Sequence, residues 1–159
     1  MADRAVASLS ASMLPDEVKT TLSGTQMYDP TDSSDSWFYL EKQVSGDTST
    51  NDLIATIDYY GTSTVSVHAD DKIRWLCVKN RLKDPTRGIG IVLDGGNAVY
   101  NEPDLIVIGP EEMVILKTPN TTVANIHART CVLNAYGVPE SQGTSGGKAF
   151  VIGILDDVA

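Results

Sequence analysis

The sequence predicts an all-β chain: a β-sandwich, with the jelly roll as its preferred form, carrying an extended N-terminal arm. Three observations predict it. Apolar and polar residues alternate with period two over short runs. Turn chemistry separates these runs at the spacing of roughly 8–12 residues expected of sandwiches and barrels. No long helical period intervenes, which disfavours parallel βαβ folds. The reading divides the chain into an arm and polar linker over 1–36 and a sandwich domain over 37–159.

The arm is rich in Ser, Thr, Ala and Asp. Ala5, Ala7, Leu9, Ala11 and Met13 alternate with Ser8, Ser10 and Ser12, which suits an extended strand. A frayed helix is the rival, because Ala and Leu favour helix. Pro15-Asp16-Glu17 reads as a turn or the start of a short helical stretch through Leu22. Tyr28 to Ser36 reads as a polar loop, with Pro30 stopping any regular element.

Trp37–Val44 is the first strand of the domain. Leu53–Tyr60 and Thr64–Ala69 follow, each alternating, with Gly61-Thr62 between them and Asp70-Asp71 as the next turn. Ile73–Val78 carries Ile73, Trp75 and Cys77 on one face and Arg74, Leu76 and Val78 on the other, so it reads as central. Gly88–Leu93 is closed by Asp94-Gly95-Gly96-Asn97, a hairpin signal because Gly supplies positive φ. Leu105–Ile108, Met113–Lys117, Val123–Leu133 and Ala149–Leu155 complete the set. Strand order is not legible in these patterns.

The chain has 159 residues, enough for one domain that builds its core without staples. Its formal net charge is −9, which argues against nucleic acid and against an anionic membrane surface. No window has the apolar length of a membrane span, and no secretory leader is expected. Cys77 and Cys131 do not make a disulfide framework; both read as packed core thiols, with a bond between them possible but not implied.

No catalytic, cofactor or metal set is expected. His68 and His127 lack the close spacing of a metal-binding histidine pair, and His127, between Ile126 and Ala128, is expected to face solvent or an interface. Asp70-Asp71, Glu111-Glu112 and Asp156-Asp157 read as turn or terminal carboxylates. Gly88-x-Gly90 has no following helix, so it fails as a phosphate loop. Arg74, Lys79, Arg81, Lys83 and Arg87 form the one basic cluster. It reads either as a solvated edge that blocks aggregation or as a docking patch for an acidic protein surface.

Lys72–Asn80 is a strand ending in a Lys-Asn turn, followed by Val92-Leu93-Asp94-Gly95-Gly96, then Ile106–Lys117, then Thr122–Thr130. This order, over about the central half of the chain, resembles small virion structural proteins of tailed bacteriophages, above all capsid decoration (cement) proteins. The resemblance implies a β-sandwich or tulip-like domain. It implies a non-enzymatic homotrimer on the outside of a shell of major capsid protein, assembled in a bacterial cytoplasm. An arm that adds a strand to a neighbour suits the Ser/Thr/Ala-rich start, with Leu9, Met13 and Leu14 as its partner-binding residues. Other readings are a tail or fibre-base component and a carbohydrate-binding sandwich. The last depends on exposed aromatics such as Trp37, Trp75 and the Tyr59-Tyr60 pair. A hydrolase lacks its motifs.

Overall fold

Ten strands build the chain in a computed structural model that describes residues 4–13, 20–30, 35–46, 52–56, 58–61, 64–95, 104–118 and 120–157. They are β1 (Ala5–Met13), β2 (Thr20–Tyr28), β3 (Asp35–Val44), β4 (Lys72–Asn80), β5 (Arg87–Val92), β6 (Ile106–Ile108), β7 (Met113–Leu116), β8 (His127–Leu133), β9 (Pro139–Gln142) and β10 (Gly147–Asp156). The one helical element among the described residues is a single 3-10 turn, Val123–Asn125.

β3 to β10 form two four-stranded antiparallel sheets, ordered β3-β10-β4-β7 and β6-β5-β8-β9. The fold is an all-β sandwich, as the sequence predicts. The chain crosses between sheets at β4 to β5, β6 to β7, β7 to β8 and β9 to β10, and its last strand lies beside β3. The order is not that of the preferred jelly roll, whose consecutive strands mostly change sheet: here β3 and β4 share one sheet, and β5–β6 and β8–β9 are neighbours within the other. The side of β8 away from β5 is shared. β9 lines its second half, while Leu53 N–H bonds Ile126 O at 3.1 Å and Thr130 N–H bonds Ser45 O at 3.1 Å near its first.

Period-two alternation puts Phe38 and Val44 of β3, Leu76 and Val78 of β4, and Ala149 and Val151 of β10 on the inner face of the first sheet. Ile89 and Ile91 of β5, Ile108 of β6 and Ala128 of β8 meet them from the second sheet. Leu53, Ile54, Tyr60, Val67, Val123 and Ile126 complete this core from the loops. At Gly153 of β10 a Cβ would stand 2.9 Å from the Trp75 carbonyl oxygen of β4.

Several expectations are corrected. Leu53–Tyr60 and Thr64–Ala69 are not ladder strands; among the described residues there they make the isolated bridge Tyr59 to Ser66, and Asp52 just before them bridges His127. Leu53, Ile54, Tyr60 and Val67 are buried because the segment packs onto the core as irregular chain, while Tyr59 and Val65 stay exposed. Val123–Asn125 turns before β8 begins at His127. β9, with sequence Pro-Glu-Ser-Gln, carries no apolar period and escapes pattern reading. The helical stretch through Leu22 gives way to β2 from Thr20, where Thr20, Thr21 and Thr25 favour strand. The polar loop is shorter than predicted, because Tyr28 ends β2 and Asp35 and Ser36 already belong to β3. The predicted turn at 15–17 lies outside the described residues, as do Gly96-Asn97, although β5 and β6 pair as hairpin neighbours.

Ile73, Trp75 and Cys77 do not share a face. The β4–β10 register shifts between Ile154 and Leu155, so Ile154 pairs with Trp75 and Leu155 with Ile73. The extra residue, Arg74, is a β-bulge. It lets Ile73 and Leu76 both point inward while Trp75 points out. Cys77 is half-exposed, not packed in the core, whereas Cys131 is buried; both are free thiols. His127 is buried rather than facing solvent.

Candidate functional site

The arm is a hairpin. β1 and β2 pair over their full length, from Ala5 opposite Tyr28 to Met13 opposite Thr20. Residues directly opposite in an antiparallel pair share a face. One face therefore carries Ala5, Ala7, Leu9 and Ala11 with Leu22, Gly24, Gln26 and Tyr28. The other carries Ser8 and Ser10 with Ser23 and Thr25, and Val6 with Met27 nearer the sandwich. The predicted alternation of Ala and Leu against Ser is present. Leu9 is 48% exposed and Leu22 64% exposed, so the apolar face lies in water. The two strands contain no charged residue. Of the predicted docking residues, Leu9 lies on this face, Met13 ends β1, and Leu14 lies outside the described residues.

The foot of the hairpin stands over the sandwich. Arg4, Ala5 and Val6 stand over Trp37, Trp75, Ile152, Gly153 and Ile154 around a cavity of about 290 Å³. Arg4 donates to Asp29, and the Tyr28 hydroxyl bonds Asp35 Oδ2 at 3.0 Å, which fixes the foot to β3. Trp75 is thereby reduced to 6% exposure, although it sits on the outside of its sheet. Its indole N–H meets no acceptor among the described residues.

That outer face is unusually apolar. In register across β3, β10, β4 and β7, Tyr39, Ile152, Cys77 and Ile115 form one row. The next row is Glu41, Phe150, Lys79 and Met113. Tyr39, Ile152 and Met113 are exposed. The outer face of an antiparallel sandwich is ordinarily polar. Trp37 and Tyr39 stack at 5.4 Å with an interplanar angle of 11°, and Tyr39 tilts against Phe150 at 6.4 Å. Rings that face one another in this way do not lay a flat platform for a sugar.

The basic cluster is split by the fold. Arg74, at the hairpin end of β4, pairs with Asp156 and lies 3.8 Å from Asp35. Arg87 donates to the carbonyls of Ser145 and Gly146 and holds that turn. Lys79, Arg81 and Lys83 remain exposed toward the opposite end of β4. There Lys148 bonds Glu41 at 2.6 Å and, with Arg81, holds the Glu41 carboxyl below its ordinary pKa. At the same end, Asn134 Oδ1 accepts from the backbone N–H groups of Tyr136 at 2.9 Å and Val138 at 3.0 Å. This braced turn presents Tyr136 at 90% exposure, with Val138 beside it. Sequence reasoning missed Tyr136, which no periodic pattern marks.

Asp71 is fully buried. Its Oδ2 accepts from the Tyr60 hydroxyl and, at 2.7 Å, from the His68 backbone N–H. Burial, and then this bond to Asp71, push the Tyr60 phenol above its ordinary pKa. His68, Asp71 and Asp157 bring one potential ligand atom each within 4.8 Å of one another, the one such group of three among the described residues. The bonds Asp71 accepts suit a structural carboxylate that ties the loop from Tyr60 to the start of β4. Burial raises the thiol pKa of Cys77, and that of Cys131 to about 11, which keeps both protonated at neutral pH. No helix of the described residues is long and apolar enough to cross a membrane. A scan against protein-family models, a search of curated proteins and a search of solved structures each find no match to this chain.

Proposed function

We propose that the chain is a structural subunit of a virion of the tailed-phage kind, a non-enzymatic homotrimer that binds the outside of the major capsid protein shell and stabilises the head. The observation that carries this reading is the division of the molecule into two unlike ends. One end projects an uncharged hairpin with an apolar face in water, which is the form of an arm that clasps a neighbour. The other end offers a braced turn with exposed Tyr136 and Val138, and exposes Arg81 and Lys83 as well.

An exposed Tyr on a braced turn, at the end of the molecule that also exposes Arg81 and Lys83, suits docking on an acidic protein surface, because little loop entropy remains to be lost. Three copies binding at once turn a weak single contact into firm attachment. The virion assignment itself rests on the order of strands and turns over residues 72–130 that resembles decoration proteins. Co-sedimentation with emptied phage heads tests it. Wild-type protein is expected to pellet with the heads, and Tyr136→Ala combined with Lys83→Glu to stay in the supernatant while keeping its melting temperature. Wild-type protein that never pellets with heads overturns the reading.

A further inference from the structure

We infer that the apolar outer face of the β3-β10-β4-β7 sheet is the seat for the β1–β2 hairpin of a second copy of this chain. The inference deepens the reading of an assembly subunit by naming the arm's partner. Two surfaces of the same chain lie uncovered and match in kind. The hairpin shows Ala7, Leu9, Ala11 and Leu22 on one face. The sheet shows Tyr39, Phe150, Ile152, Cys77, Ile115 and Met113.

Neither surface is comfortable alone. A two-stranded ribbon is marginal in water without a third layer, and an aromatic and aliphatic sheet face of this extent marks an interaction site. The foot of the hairpin already covers the first row of this face, over Trp75 and Ile154. The surface proposed for a neighbour's hairpin continues directly from that contact. Trp75 brings an unpartnered, buried indole N–H to its margin, where a neighbour's serine hydroxyl or backbone carbonyl can satisfy it.

Charge favours the hairpin as the point of contact between copies. Each copy carries −9, so copies repel at long range. The hairpin strands hold no charge of their own, so the charges this contact covers are those of the seat, where Glu41 is already paired with Lys148. The areas suffice. With Ala5 and Val6 seated on the chain's own sheet, about seven residues of each strand remain, a ribbon about 23 Å long and about 10 Å wide. Each docked hairpin then buries about 460 Å² counted on both sides, and three such contacts total about 1,400 Å², the size of a stable interface. Arm and seat are different surfaces, so the contact is heterologous. It closes when two copies exchange arms or when three form a ring.

The test uses the full chain. Sedimentation velocity is run on wild type, Leu9→Glu, Ile152→Lys and the double variant, with melts as folding controls. Wild type is expected to be a dimer or trimer. Leu9→Glu is expected to keep its melt, and Ile152→Lys, whose residue also lines the cavity under the chain's own hairpin foot, to stay within a few degrees of it; each is expected to bind its own kind at least about tenfold more weakly. The double variant sets the introduced carboxylate of one copy against the introduced ammonium of another, and it is expected to regain association. In parallel, Leu9→Cys is treated with a short bismaleimide that can reach native Cys77. Covalent dimers and higher ladders are expected. A wild type that is monomeric at every concentration, or crosslinks confined to single chains, overturns the inference. Binding to phage heads, scored separately, sorts the outcomes. A monomer that still pellets with heads sinks only the arm exchange. An oligomer that ignores heads sinks only the virion reading.

Discussion

The side-chain amide of Asn80 donates to the main-chain carbonyl of Ile108 at 3.1 Å, joining the last residue of β4 in one sheet to the last residue of β6 in the other. The same side chain accepts from the Leu82 backbone N–H at 2.8 Å through Oδ1. Asn80 and Ile108 are both buried, so Ile108 O has no water as a ready substitute. Asn80→Ala is expected to cost about 1–3 kcal/mol, the penalty of buried groups left unpaired. Urea titration of both proteins measures it as a lower midpoint at unchanged slope. A change below a few tenths of a kcal/mol shows that the bridge does not hold the sheets.

Tyr60 and Asp71 make the second polar tie. The Tyr60 hydroxyl joins the His68 backbone N–H in donating to a carboxylate oxygen with no solvent access. Tyr60→Phe keeps the ring and removes that donor. It is expected to destabilise the fold by about 1–3 kcal/mol, because the buried charge loses part of its solvation. Asp71→Asn in the Tyr60→Phe background is expected to cost much less than Asp71→Asn alone, since the two groups act as one unit. A thermal-melt double-mutant cycle reads the coupling, and additive effects refute it.

Pattern reading found β4, β5 and β10 because each places apolar residues where a buried ladder needs them. It found the alternation of Ala5 to Ala11 for the same reason. It did not find that β1 pairs with β2, whose Thr, Ser and Gly24 carry no strong period. Nor did it place Trp75, because Arg74 is an ordinary residue that becomes a bulge only through the register of β10. The Tyr60–Asp71 tie and the Asn134 turn depend on irregular chain brought together by packing, which leaves no local signature. The basic cluster was legible as composition. Its division between Arg74, committed to Asp156, and the exposed Arg81 and Lys83 required the strand direction.

Alkaline pH is expected to weaken the fold through Cys131. Its thiol pKa rises from an ordinary value of 9.0 to about 11, chiefly by burial. The folded state therefore holds the proton more tightly than the unfolded chain. This contribution is complete below pH 9 and is lost as pH rises to about 11. Tyr60, raised in the same direction, adds to the loss once unfolded tyrosines begin to ionise. Melting temperature followed from about pH 8 to about 11 should fall. Cys131→Ala should show a shallower fall from a lower starting value, because its cavity costs stability at all pH. Parallel curves for the two proteins remove Cys131 from the account.

Removing residues 2–28 separates the hairpin's role as a cover from its role as an arm. The two-sheet core contains no residue of β1 or β2, so the truncated chain should fold and melt cooperatively. It loses the foot that covers Trp75 and Ile154, and the Tyr28 to Asp35 hydrogen bond. The melt should drop by only a few degrees, about 1 kcal/mol for a chain of this size. The indole of Trp75 should then meet water, moving the tryptophan emission to longer wavelength in the folded state. Trp37 is already exposed at 43%, so the shift is read against a Trp37→Phe background in which Trp75 is the single indole. Unchanged emission means that something other than the hairpin covers Trp75. A truncated chain that does not fold makes β1 and β2 part of the sandwich's own stability, and the boundary between arm and domain must then move toward the N-terminus.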